Sequence, residues 1–271
     1  MQKDGEKAMK IIDAHTHIFP DKISEKVSKS IGGFYQMKYC APASVANLLK
    51  DGTAAGVSHY LVCSAAVTPD QTETITDFMA QMAKDHDCFT ALASIHPCYR
   101  NFEEEIDRAV SLGLRGIKLH PDFQKFDIDD EKVFPLYRAI AKRGLPLLMH
   151  MGDDRYESSS PAKLATVMKK IPDLTVIAAH FGGYRRWQEA HDLLVPSDRL
   201  WFDTSSSTMF ISRDYALSMF EKFGIDRFMF GTDFPIWDAT GELERVRTFG
   251  LSETEYEMFF SGNFMRLFPM N

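Results

Sequence analysis

The chain has 271 residues, a formal net charge of −7, 45% hydrophobic and 25% charged residues. That length suits one large core such as a single α/β barrel, typically about 250 residues, and no stretch approaches the roughly 18 apolar residues of a membrane span. An acidic balance without a Lys/Arg block excludes nucleic acid, whose binders need a basic patch against phosphates, so a small-molecule partner is expected.

The opening segment MQKDGEKAMK is polar and carries no apolar core of a secretory signal, so a cytoplasmic location is expected, with a homodimer as the assembly to test. Cys40, Cys63, Cys88 and Cys98 form no C-x-x-C pair and read as reduced thiols. The first strand, Ile11-Ile12-Asp13-Ala14-His15-Thr16-His17, ends in two histidines one residue apart. Side chains at i and i+2 of a strand share a face, so both imidazoles converge, which is half of a metal site.

Short apolar runs then recur every 25 to 35 residues with helix-like segments between them, the alternation of successive β-α units on a parallel sheet. Residues Ile18 to Ala41 read as a long polar and aromatic loop over the site. A helix follows from about Ala43 to Ala55. His59 to Ser64 is the second strand, and a helix runs from Pro69-Asp70 towards Asp85. Phe89 to Ser94 is the third strand. Asn101 and Glu104 have the spacing of a capping box for a helix closed by Gly113. In the fourth strand, Gly116 to Leu119, alternation puts Lys118 on the face of His120, while Ile117 and Leu119 face surrounding helices.

A helix from about Asp130 to Arg143 leads to the fifth strand, Leu147-Leu148-Met149-His150. Ser160-Pro161 opens another helix. Leu174 to Ala179 followed by His180 is strand six, Leu200 to Asp203 is strand seven, and Ser212 caps a helix that stops at Gly224. Arg227 to Gly231 is strand eight, with Thr232-Asp233 just beyond. Ser252 and Glu255 have the spacing of a second capping box. No internal repeat or flexible linker divides the chain, so residues 1–271 are read as one domain.

Eight strand-helix units of this total length close most simply into a (β/α)₈ TIM barrel, somewhat distorted, whose chemistry sits at the C-terminal strand ends. The polar residues fall there: His15 and His17 at strand one, Lys118 and His120 at four, His150 at five, His180 at six, Asp203 at seven and Asp233 at eight. One histidine ending an apolar run is unremarkable. Its repetition at strands one, five and six, with an aspartate at eight, is a pattern.

In IIDAHTHIFP, GIKLHP, LLMH, VIAAHFGG, FMFGTDFP and GNFMRLF, in that order along nearly the whole chain, the sequence resembles the amidohydrolase superfamily. Within it the resemblance is to the amidohydrolase-2 branch, which includes aminocarboxymuconate-semialdehyde decarboxylase-like enzymes. The resemblance implies one divalent metal, with zinc expected, bound by His15, His17, His150 and Asp233, and His180 beside a metal-activated water as the proton-transferring group. Asp233 would ligate, orient the water, or do both. Imidazole and carboxylate are suitable ligands for such a metal, which brings bound water into the neutral range.

Lys118 leaves an alternative open. A carbamylated strand-four lysine bridges two metals in binuclear branches, whereas the GIKLHP context resembles the mononuclear branch, in which this lysine faces the substrate. His120 is either a substrate contact or an ordinary loop residue. Arg155 and Arg185 could hold a substrate carboxylate. The leading expectation is a metal-dependent hydrolase of a small polar amide, ester or lactone, and the alternative is a nonoxidative decarboxylase of a small carboxylic acid.

Overall fold

Short β-branched and aromatic runs bounded by turn residues form eight strands in the computed structural model, which describes residues 9–270. The polar opening, Met1 to Ala8, lies outside the described residues. In chain order, β1 (Ile11–His17) is followed by α1 (Asp21–Tyr35), α2 (Val45–Ala55) and β2 (Val57–Cys63). Next come α3 (Gln71–Asp85), β3 (Phe89–Ala91), α4 (Phe102–Ser111), β4 (Ile117–Leu119), α5 (Pro121–Gln124), α6 (Phe134–Lys142) and β5 (Leu147–Met149). The second half holds α7 (Pro161–Lys170), β6 (Val176–Ala178), α8 (Trp187–Leu193), β7 (Leu200–Asp203), α9 (Arg213–Phe223) and β8 (Phe228–Met229). It closes with α10 (Ala239–Arg247), α11 (Glu253–Glu257) and α12 (Asn263–Leu267).

All strand pairs are parallel, β1-β2-β3 in one ladder and β4 through β8 in another. Two seams join the ladders into a ring. Between β3 and β4, the Lys118 amide donates to Ala93 O at 2.7 Å and the Ala93 amide to Gly116 O at 3.0 Å. Between β8 and β1, the amides of Ala14 and Asp233 donate to Phe230 O and His15 O, both at 2.8 Å. The expected (β/α)₈ barrel is therefore present, with its regular ladders interrupted at these seams and a register shift within β1–β2.

Alternation along the strands sorts the core into two clusters. Ile12, Leu61, Leu92, Leu148, Ile177 and Met229 fill the inside of the ring. Ile117, Leu119, Leu147, Met149, Val176 and Phe202 point outward into the layer beneath the helices. Phe264 and Phe268 join the inner cluster, so the C-terminal helix stoppers the mouth at which the strands begin. Chemistry is thereby confined to the opposite rim.

Two local expectations need correction. Residues Ile18–Ala41 are not all loop, because they contain the fifteen-residue α1. Its fully buried residues are Ser24, Ser28 and Gly32, flanked by the half-buried Val27, Ile31 and Phe34, and the two serine hydroxyls donate to the helix's own carbonyls at Asp21 and Ser24. The Asn101–Glu104 capping box does not form: Asn101 has φ −95° and ψ 44°, and its side chain makes no cap bond. The box at Ser252 and Glu255 does form, and Ser212 caps α9 as expected.

Candidate metal centre

The site begins with an irregularity in β1. Ile12 and Ala14 point into the ring, so strict alternation would turn His15 and His17 outwards. Between Asp13 and Thr16, however, β1 holds one more residue than β2, a bulge that brings both histidines to the inner rim with ring centroids 5.1 Å apart. Three further site residues have left-handed backbone: His180 at φ 61°, Ser206 at φ 51° and Asp233 at φ 64°. Such strain costs about 1–2 kcal/mol per non-glycine residue and persists where the surroundings over-determine it. At strand six it breaks the alternation after Ala179 and swings His180 into the ring.

The His15 Nδ1–H donates to Asp203 Oδ2 at 2.9 Å, which leaves Nε2 as the acceptor. That nitrogen meets Lys118 Nζ at 3.0 Å and lies 3.6 Å from Asp233 Oδ1. His17 Nε2 lies 3.1 Å from the same Asp233 oxygen. The other Asp233 oxygen accepts from Ser206 Oγ at 2.6 Å, and Ser206 in turn accepts from Trp237 Nε1 at 3.1 Å. Gly231 lies beneath this group. A Cβ there would approach His15 Cβ to 3.2 Å and Ser205 Cβ to 3.3 Å, so the absence of a side chain keeps the donors together.

His180 Nδ1–H donates to Ser205 O at 3.0 Å, and His150 Nδ1–H to His180 Nε2 at 3.0 Å. The His120 and His150 rings stack at 4.0 Å. The Tyr35 hydroxyl lies 3.0 Å from His120 Nε2 and 3.4 Å from His150 Nε2, and Asp122 Oδ2 is 3.5 Å from the latter. Thus His15, His17 and Asp233 are in direct mutual contact, while His150 joins them through His180.

Electrostatics keeps most of these donors in the form a cation needs. Burial, then Lys118, pushes His15 down to about 4. Burial, then neighbouring positive groups, holds His120 and His150 well below the usual imidazole range. Burial alone would raise Asp233, but its bond with His17 and the nearby imidazoles hold its carboxyl well below the carboxylate range. Burial also opposes charge on His17, yet Cys63 and Asp233 raise it to about 9. Neutral His15 and His150 imidazoles, an ionised Asp233 carboxylate and the anchoring of the distal His15 N–H on Asp203 form a donor set that fits a divalent cation, which would displace the proton held on His17.

A family model described as Amidohydrolase matches residues 12–270. The chain belongs to the amidohydrolase family. Among solved structures, this amidohydrolase is similar to 5-carboxyvanillate decarboxylase from Sphingomonas paucimobilis, with a TM-score of 0.74 and 15% identity, covering 97% of this chain and 100% of that one. A protein assigned as 2-pyrone-4,6-dicarboxylic acid hydrolase from Pseudomonas putida gives a TM-score of 0.69 at 16% identity, covering 97% and 99%. A dihydroxybenzoic acid decarboxylase from Polaromonas sp., with bound manganese, gives 0.70 at 13%, covering 96% of each chain. These likenesses carry the fold.

Of the residues singled out from the sequence, His15, His17, Lys118, His120, His150, His180 and Asp233 meet at one rim. Arg155 and Arg185 do not line the narrow cavity there. Arg155 is paired with Asp153, and Arg185 stands over the Phe210 ring at 4.2 Å. Sequence reasoning gave no role to Tyr35, Asp122, Asp203, Ser205 or Ser206. For Asp203 its place at the end of a barrel strand was the available signal. No helix among the described residues is long and apolar enough to cross a membrane.

Proposed function

We propose that this amidohydrolase is a metal-dependent hydrolase of a small polar amide, ester or lactone, with His15, His17, His150 and Asp233 as ligands of one divalent cation. The observation that carries the reading is the contact of His15 and His17 with one Asp233 oxygen, beside an Asp203 that fixes the His15 tautomer. Zinc is the proposed metal; manganese in a similarly folded decarboxylase makes it the alternative to test. Bound there, the cation would polarise a carbonyl and activate water near neutral pH.

The chain's own groups supply the rest. His180 is the proposed general base: Ser205 O holds its Nδ1 proton, so Nε2, which accepts from His150 Nδ1 in this structure, is the nitrogen that would have to exchange that bond for a proton from water. Ser206 orients the outer Asp233 oxygen and thereby the inner one. Lys118, fully buried and directed at His15, is the proposed contact for a developing negative charge on substrate, in the one-metal arrangement. His120 is proposed as a second substrate contact.

The second reading is a nonoxidative decarboxylase, favoured by the decarboxylases among the similar folds. Against it, Arg155 is committed to Asp153, so it offers no free cation for a second carboxylate. The two readings separate on a panel of amides, esters, lactones and small carboxylic acids assayed in 18O-water with zinc- or manganese-loaded enzyme. Label in the product carboxylate is the expected result. CO₂ release with no hydrolysis of any panel member would replace the first reading with the second.

A further inference from the structure

The space above the histidines amounts to about 10 Å3, close to the minimum for one water molecule. Even a substrate of a few carbon atoms does not fit, so part of the lining has to move. His150, His180 and Asp233 belong to the strand ends of a closed barrel, whereas Tyr35 and Met37 sit on the corner that ends α1. That corner turns through a left-handed Gln36 at φ 54° and folds back tightly, with the Met37 amide donating to Gly32 O at 2.8 Å.

The corner carries a stopper and a fastening. The stopper is the Tyr35 hydroxyl, within hydrogen-bond distance of both His120 and His150, and burial holds its proton firmly in place. On the same buried His120 ring, Nδ1 has no partner, so its one polar contact on the site side is the phenol. The fastening is Arg155. Its Nη1 donates to Phe34 O at 2.7 Å, while Nε and Nη2 are clamped by the fully buried Asp153 at 2.9 and 2.6 Å. The Phe34 ring is wedged between Tyr156, stacked at 5.5 Å, and Phe123, edge-on at 4.9 Å.

We propose that the Phe34–Met37 corner is the gate to the metal centre, that Arg155 latches it, and that the Tyr35 hydroxyl keeps His120 Nε2 until an oxygen atom of the substrate takes its place. Tyr35 then selects for entrants that offer such an oxygen. The gate rests on the proposed ligand set only through the metal used as a probe below. Arg155 acts through the corner and is a positioning residue, which explains its distance from the reacting groups.

The test is the rate at which excess dipicolinate, a small planar chelator, strips zinc from the loaded protein. Arg155→Ala and Tyr35→Ala should each release zinc at least about 10-fold faster than the unaltered chain, the scale of one lost charge-assisted bond. Equilibrium zinc affinity of Arg155→Ala should stay unchanged. Tyr35→Phe, which keeps the ring and gives up the contact with His120, should fall between. Release at the unaltered rate in both alanine variants overturns the gate, and Tyr35→Phe releasing at the unaltered rate overturns the part given to the hydroxyl. A chain that binds no metal refutes the ligand set instead. The gate is then decided by hydrogen exchange at the Met37 amide, which Arg155→Ala should speed if the latch is real and leave unchanged if it is not.

Discussion

Asp203→Asn is the substitution that separates charge from tautomer at the centre. Burial pushes Asp203 towards its neutral form, but His15 and the neighbouring donors hold its carboxyl down at about 2, so it is ionised in the native protein. One oxygen accepts from the backbone amides of His180 and Ser205, both at 3.1 Å, and from Ser205 Oγ at 2.5 Å. In the Asn variant the amide oxygen must take that side, because an NH₂ group there would face three donors. The NH₂ then faces His15 Nδ1, which turns from donor to acceptor and moves its proton to Nε2, the nitrogen aimed at Lys118 and Asp233. Loss of an outer partner typically costs about 10–100-fold in metal affinity, or about 1.4–2.7 kcal/mol. Asp203→Ala, which leaves the tautomer free, should fall in that range. Asp203→Asn should lie at or beyond its upper end although it is closer in shape. Competition titration of zinc against a chromophoric chelator, with thermal melting as a control for folding, measures both. An Asn variant that binds zinc as tightly as the unaltered chain, or more tightly than the Ala variant, would refute the tautomer argument.

His17→Ala removes a proposed ligand and should abolish bound metal and turnover together, whereas His180→Ala, which removes the proposed general base, should keep its metal and lose turnover by about 100-fold or more; equal metal content in the two variants would contradict that division. His59 on β2 is buried against Thr90 Oγ1 at 2.8 Å, and burial, then Lys10, pushes it from 6.5 down to about 4. Between those values the unfolded chain binds a proton that the folded chain refuses, so this residue's effect is absent above pH 6.5 and costs up to about 3 kcal/mol as pH falls through 4. Urea unfolding of His59→Gln should therefore show a shallower loss of stability on acidification, and an identical slope would contradict it. Gly152 has φ 86°, and a Cβ there would sit 2.3 Å from the Tyr184 amide nitrogen, so Gly152→Ala should destabilise by about 2–5 kcal/mol in the same assay.

The barrel was legible because its strands are runs of large apolar residues ending in polar ones, and both the order of the eight strands and the rim they share follow from that pattern. Helices marked by an apolar stripe or a serine cap, such as α2 and α9, were legible for the same reason. α1 was missed although Val27, Ile31 and Phe34 recur at helical spacing: its innermost positions are Ser24, Ser28 and Gly32, and no side-chain cap marks its start. The convergence of His15 and His17 was readable from their spacing, but their direction depends on a bulge, and that of His180 on a left-handed residue; neither leaves a mark in composition. The supporting residues Asp203, Ser205 and Ser206 bond across distances of up to 190 positions, and Tyr35 reaches His120 from 85 positions away. Such partnerships are made by closure of the ring, which no local pattern encodes.

The central claim is that imidazoles and a carboxylate from β1, β5 and β8 hold one divalent cation. The most direct measurement is metal per chain by inductively coupled plasma mass spectrometry after dialysis against zinc and manganese. The account predicts about one equivalent in the unaltered chain and in His180→Ala, and essentially none in Asp233→Ala. Metal-replete protein that carries none, or an Asp233→Ala variant that keeps its full equivalent, would contradict it.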